Sequence, residues 1–79
     1  MDFGQAEILR ILAVTDALGL HREAVVIPLY NKGTGGLRLR GAKLEITAPG
    51  DGVDFEAWLG ALPAALRAFP DLAQVRRVT

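Results

Sequence analysis

The sequence contains no cysteine, no serine and only one histidine, His21, among its 79 residues. Without cysteine there is no disulfide, no thiolate nucleophile and no cysteine-based zinc site. A catalytic nucleophile also needs a neighbouring base, and this composition offers almost no such pair. We therefore expect a protein that is not an enzyme, and we predict no catalytic residue, no cofactor and no metal site.

Long apolar runs and an excess of one charge are missing as well. No run approaches the ~20 apolar residues of a membrane-spanning helix, and the first residues lack the basic segment of a signal peptide. Nine basic and nine acidic side chains cancel, so the whole molecule is not an evident nucleic-acid or membrane binder. These features predict a soluble, cytoplasmic protein without a membrane role. Asparagine, glutamine and methionine are scarce, which is compatible with a thermophilic bacterium as the source.

Hydrophobic residues are abundant and make up 51% of the chain. A chain of this length forms one domain, which we place at residues 1–79. Such a short chain buries only about 60–65% of the surface that it exposes when unfolded. The apolar content is generous for that size, so we expect part of it to be covered in an oligomer.

The clearest structural signal is the stretch from Leu37 to Thr47, in which apolar and polar residues alternate on both sides of Gly41-Ala42. Alternation with a period of two is typical of strands that bury one face. Glycine at the first central position favours a type II′ turn, which fixes the register of a hairpin. The predicted pairs are Leu37 with Ile46, Arg38 with Glu45, Leu39 with Leu44, and Arg40 with Lys43.

Two helices flank the predicted strands. The first has Asp2 as its candidate N-cap and Gly19 as its candidate stop. The second begins after Asp54, again a favourable N-cap, and contains Pro63, which removes one helical hydrogen bond. For residues 72–79 the sequence leaves two alternatives open, a tail or a short added strand at 74–78. The predicted elements are helix 3–18, strands 24–30, 36–40 and 43–47, and helix 54–69.

This order predicts an α+β fold with two layers and the sequence α-β-β-β-α. We expect a three-stranded antiparallel meander, with consecutive strands adjacent and both helices packed on one face. The glycine-rich residues 31–36 would be a flexible connection between the first two strands of that meander.

The first strand is apolar on both faces, and the first helix has a broad apolar arc. Together they leave more apolar surface than a monomer usually exposes. The sequence therefore favours a small protein-interaction module, most simply a homodimer with a further protein partner unidentified. Its candidate interface residues are Val26, Pro28, Tyr30, Leu9 and Val14.

Nucleic-acid binding is the alternative function. Four positive charges and no acid lie between residues 32 and 43, and three of them share the outward face of the hairpin. Clustered cations on one face are the electrostatic signature of phosphate binding, although we expect no aromatic stacking platform on that face. The candidate residues are Lys32, Arg38, Arg40 and Lys43.

Overall fold

A computed structural model describes residues 4–75 of the chain. Two α-helices and a three-stranded sheet make up the fold, joined by two short 3₁₀ helices at Arg22–Ala24 and Pro70–Gln74. The α+β class predicted from the sequence is therefore confirmed. The main elements are α1 (Gln5–Ala17), β1 (Val25–Val26), β2 (Gly36–Arg40), β3 (Lys43–Thr47) and α2 (Phe55–Ala68).

The strand order in the sheet is β1-β3-β2, with β1 parallel to β3 and β2 antiparallel to β3. The predicted antiparallel meander is therefore wrong. In a meander β1 would pair with β2, whereas here residues 27–35 carry the chain from β1 past the position of β3 to β2 at the opposite edge, and β3 then lies between them. The parallel neighbours β1 and β3 are thus joined by a connection that contains β2, which is long enough for the return that parallel strands require.

The β2–β3 hairpin has the register that the sequence predicts, with Leu37 opposite Ile46 and Arg38 opposite Glu45. Gly41 has a φ of 62°, and no residue other than glycine has a positive φ among residues 4–75. This combination fits a type II′ turn, in which only the first central residue needs a positive φ. A local turn and one apolar face are thus enough to determine the hairpin.

The first strand is much shorter than predicted. Only Val25 and Val26 pair with β3, and a single parallel bridge between Asn31 and Ala48 follows. Residues 27–30 lie between these contacts, opposite only residues 46 and 47 of β3, so they bulge out of the sheet. Pro28 explains the break, because proline has no N–H to donate to a strand ladder. We call residues 27–30 the arch.

Both ends of α1 are fixed by hydrogen bonds. The predicted cap Asp2 lies outside the described residues, and Gly4 is the N-cap, its N–H donating to the Glu7 carboxylate over 2.7 Å. At the other end Gly19 has a φ of 78°, and the N–H of buried Leu20 donates to the Thr15 carbonyl over 3.0 Å. This is the glycine-terminated end that the sequence predicts.

The second helix agrees closely with its prediction. Asp54 caps it, accepting a hydrogen bond from the N–H of Glu56 over 3.0 Å. Pro63 lies inside the helix, which continues to Ala68. For the C-terminal residues the sequence left a tail or a short strand at 74–78 open, and no strand forms at the two of these residues that are described, since Gln74 ends a 3₁₀ helix and Val75 follows it without joining the sheet. The other residues of this segment lie outside the described part of the chain.

The core lies between one face of the sheet and the two helices. It is a single apolar cluster in which α1, β3 and α2 each bury residues. The side chains of β2 on that face, Leu37 and Leu39, pack against the cluster. Its members from the three elements are Ile11, Leu44, Ile46, Phe55, Leu62 and Leu66.

Candidate functional site

The face of the sheet opposite the core carries one row of side chains across all three strands. The register places Val26 of β1 beside Glu45 of β3, and Glu45 opposite Arg38 of β2. Alternation along β3 sends Leu44 and Ile46 to the core, so Glu45 points to the outer face. The central strand thus presents a carboxylate in the middle of the outer face.

Glu45 is only 4% exposed although it lies outside the core. Arg38 forms an ion pair with one carboxylate oxygen, and Arg40 Nη1 lies 3.3 Å from the other. Desolvation is the largest single influence on the pKa of Glu45 and raises it, but the two arginines together outweigh that effect. The pKa therefore lies below its ordinary value of 4.5, and the carboxylate is charged at neutral pH.

A cavity of about 560 Å³ opens on this face between the hairpin and the glycine-rich loop. We call it the outer groove. Arg38, Glu45 and Thr47 contribute from the strands, and the end of the arch and the loop form the opposite wall. The residues on that wall are Tyr30, Lys32, Gly33, Thr34 and Gly35, and the start of β2, Gly36 and Leu37, completes the lining.

The first half of the glycine-rich loop is hydrogen-bonded to residues 48–51, contacts that its composition did not predict. The Asn31 side-chain amide donates to the Pro49 carbonyl and to Asp51, each over 3.1 Å. The N–H of Lys32 donates to the Ala48 carbonyl over 3.0 Å, and the Gly33 carbonyl accepts from residue 50 over 2.9 Å. These bonds fix the loop against residues 48–51, so the wall of the groove has a defined shape.

An aromatic ring lies in the outer groove, which the sequence did not predict. Tyr30 is 51% exposed, and the Lys32 ammonium lies 5.8 Å from the centre of its ring. The sequence interpretation put Tyr30 outward beside the charged hairpin, as an interface residue, and expected no aromatic stacking platform on the charged face. The arch carries Tyr30 to the same cavity as Arg38. Pro28 within the apolar run was the available signal for this break.

The structure separates the four predicted nucleic-acid-binding residues into two kinds. Arg38 and Arg40 share Glu45 as an ion-pair partner. Lys32 lies beside Tyr30 in the groove, and Lys43 lies opposite Arg40 next to the turn. Arg38 and Lys32 line the outer groove together, whereas Arg40 and Lys43 are not among its lining residues.

The five predicted interface residues do not form one uniform surface. Val26 and Pro28 are half-buried, and Tyr30 lines the outer groove. On α1, Leu9 is 49% exposed, whereas Val14 packs against the core and lines a cavity between the helices. Leu29, which the sequence did not single out, is the most exposed large apolar side chain of the described residues, at 84%.

His21, the single histidine, has a structural role. The Nδ1 atom of His21 accepts a hydrogen bond from the N–H of Glu23 over 3.1 Å and caps the first 3₁₀ helix. Among residues 4–75, no three histidine, aspartate or glutamate side chains lie together as metal ligands would. No helix in that part of the chain has the length and apolar character needed to cross a membrane.

Comparison of the chain with protein-family models, with curated proteins and with solved structures found no match. A function is therefore inferred from the geometry of the arch, the outer groove and the strand edges.

Proposed function

We propose that this protein is a small non-enzymatic interaction module that works as a homodimer, with the arch at the two-fold interface. The observation that carries the proposal is the arch itself. It departs from the sheet and exposes two large apolar side chains in sequence, Leu29 and Tyr30. Adjacent exposed apolar residues on a segment that projects from the sheet are typical of interaction sites.

The position of the arch favours a symmetric contact. It follows β1, which is an edge strand of the described sheet, and Ile27 anchors it by packing against the core. An isologous dimer would bring two arches together and cover both copies of Leu29 at once. The contact between the two arches is then apolar, so the association would persist in moderate salt.

Sedimentation equilibrium at micromolar concentration tests this proposal. We expect a mass of about twice 8.5 kDa, which Leu29→Lys reduces to that of the monomer. Ala57→Lys on the exposed side of α2 is the matched control and should remain dimeric. A wild-type protein that stays monomeric at all concentrations would exclude the homodimer.

Nucleic-acid binding is a second candidate function, supported by one specific observation. Tyr30, Lys32 and Arg38 line a single groove, and an aromatic ring beside cations is the combination that binds single-stranded nucleic acid. Its affinity would fall steeply with salt, unlike that of an apolar dimer. Because both functions use Tyr30, a dimer formed through the arch would compete with an oligonucleotide for the groove.

A further inference from the structure

The other edge of the sheet is formed by β2, which is longer and more regular than β1. All five of its residues, Gly36–Arg40, pair with β3 on one side. No segment among residues 4–75 pairs with the other side. In the alternating antiparallel ladder, Arg38 and Arg40 bond to β3, so the N–H and C=O groups of Leu37 and Leu39 point away from the sheet.

Two cavities lie on opposite sides of the start of this edge. The outer groove lies on the charged face, and a smaller, mainly apolar cavity of about 150 Å³ lies between β2 and α2. Residues 34–37 line both. We call the smaller one the inner notch, and its walls on α2 are formed by Trp58, Ala61, Leu62 and Ala65.

We infer that the free edge of β2 binds an extended acidic peptide as an additional antiparallel strand. In such a complex, side chains of the peptide alternate between the two faces of the sheet. Those on the same side as Leu37 enter the inner notch, which favours apolar residues. Those on the side of Arg38 and Arg40 meet the cationic face, which favours carboxylates.

Charge complementarity selects this occupant over a second copy of the chain. Lys32, Arg38, Arg40 and Lys43 carry four positive charges against the single carboxylate Glu45, which leaves a net charge of +3 on the hairpin and its loop. Pairing two copies edge to edge through β2 would bring their arginines together. An alternating acidic and apolar peptide instead neutralises the excess charge and places its apolar residues beside Trp58.

This inference rests on the proposed role as an interaction module, but it uses a different edge of the sheet from the dimer.

Fluorescence anisotropy of a labelled peptide tests it, with the probe Gly-Glu-Val-Glu-Val-Glu-Gly. We expect micromolar binding, and at least tenfold weaker binding of the rearranged peptide Gly-Val-Glu-Glu-Glu-Val-Gly. N-methylation of one of the two valines and of the central glutamate then separates strand pairing from charge attraction.

The valine N–H groups of the bound peptide face β2, and the glutamate N–H groups face solvent. N-methylation of a valine should therefore abolish binding, whereas N-methylation of the central glutamate should change it less than threefold. Equal effects of the two methyl groups would overturn the inference. So would binding of a ten-residue oligouridylate without binding of the alternating peptide, which would support nucleic-acid binding instead.

Protein variants provide the matching test. Arg40→Gln should weaken peptide binding about fivefold; it removes one of the two arginine partners of Glu45, but Arg38 keeps its ion pair with that carboxylate across the hairpin. Arg67→Gln makes the same charge change on α2 and should leave binding within twofold. Ala61→Leu fills the inner notch and should weaken binding while the melting temperature stays near that of the wild type.

The dimer and the peptide site fail independently. A monomeric protein that binds the alternating peptide would overturn the homodimer and support the β2 site. A dimeric protein that does not bind the peptide would overturn the β2 site alone. If the order of residues in the peptide makes no difference, the contact is only electrostatic and the strand-addition geometry is wrong.

Discussion

Arg38 forms an ion pair with Glu45 directly across the β2–β3 ladder, and Arg40 binds the other oxygen of the same carboxylate. The carboxylate is almost fully buried, whereas the two arginine side chains remain more than half exposed. The arginines therefore cover Glu45 and keep their remaining N–H donors available to a ligand. This arrangement couples the stability of the sheet to the charge of its outer face.

The first prediction concerns the loss of stability at acidic pH. The pKa values of Glu45, Asp16 and Glu56 all lie below their ordinary values, in each case with arginine partners. A carboxyl group with a depressed folded-state pKa stabilises the fold fully above its unfolded pKa and loses that contribution as pH falls through the folded value. Thermal melts should therefore be flat above about pH 5 and fall progressively below 4.5, the ordinary value for glutamate.

Glu45→Gln and Glu56→Gln form a matched pair for this prediction. Glu56 binds Arg10 at the surface, with its side chain 63% exposed, so solvent and salt screen the pair. Glu45→Gln should lower the melting temperature at pH 7 more than Glu56→Gln does. It should also reduce more strongly the fall in melting temperature at acidic pH. Equal effects in the two variants would show that burial of Glu45 adds nothing to its ion pairs.

The second prediction concerns the core. Leu44 is fully buried between β1 and β2 on the core face, and Leu44→Ala should lower the free energy of unfolding by about 2–5 kcal/mol. A loss of that size is a large part of the stability of a small domain. The matched variant Leu9→Ala should cost less than about 1 kcal/mol, because half of that side chain is already exposed. Urea denaturation measures both.

The hairpin and both helices were predictable because their signals are local. Gly41 fixes a turn, Asp54 caps a helix and Gly19 ends one, and each acts on residues a few positions away. The position of β1 was not predictable in the same way. Val26 pairs with Glu45, and the whole of β2 lies between these two residues in the sequence. No local pattern distinguishes a parallel neighbour of β3 from an antiparallel neighbour of β2.

The candidate site shows the same division between local and distant information. The cations at 32–43 were visible as a cluster in the sequence, and the partnership of Arg38 with Glu45 followed from the hairpin register. The location of Tyr30 depended on the arch. The arch forms because Pro28 interrupts a strand that would otherwise continue to pair with residues 45–48. Exposure of Leu29 follows from that same distant geometry.

The third prediction concerns Pro63. Within α2 its missing N–H leaves the Leu59 carbonyl without its helical partner, which costs about 3 kcal/mol in a regular helix. Pro63→Ala should therefore raise the free energy of unfolding, by about 1–3 kcal/mol once the greater freedom of alanine in the unfolded chain is subtracted. Ala64→Pro is the opposite control and should destabilise the domain. A less stable Pro63→Ala would mean that the proline rigidifies the helix more than it disrupts it.

The last prediction separates two reasons for glycine in the loop between the arch and β2. Gly33 and Gly35 both have positive φ, at 58° and 77°, so alanine at either position is strained by about 1–2 kcal/mol. Around Gly33 there is open space, whereas a Cβ at Gly35 would lie 2.8 Å from both the Thr47 carbonyl oxygen and Trp58 Nε1. Gly33→Ala therefore measures backbone strain alone, and Gly35→Ala adds a steric clash to it.

Gly35→Ala should consequently lower the free energy of unfolding clearly more than Gly33→Ala, and only Gly35→Ala should change the fluorescence of Trp58. Because the Thr47 oxygen belongs to the central strand, it cannot move away without disturbing the ladder with Gly36. Urea denaturation followed by tryptophan fluorescence measures both effects in one experiment. Equal losses of stability would show that the approach of β3 and α2 to Gly35 is loose, and the shared boundary of the outer groove and the inner notch would then lack a rigid wall.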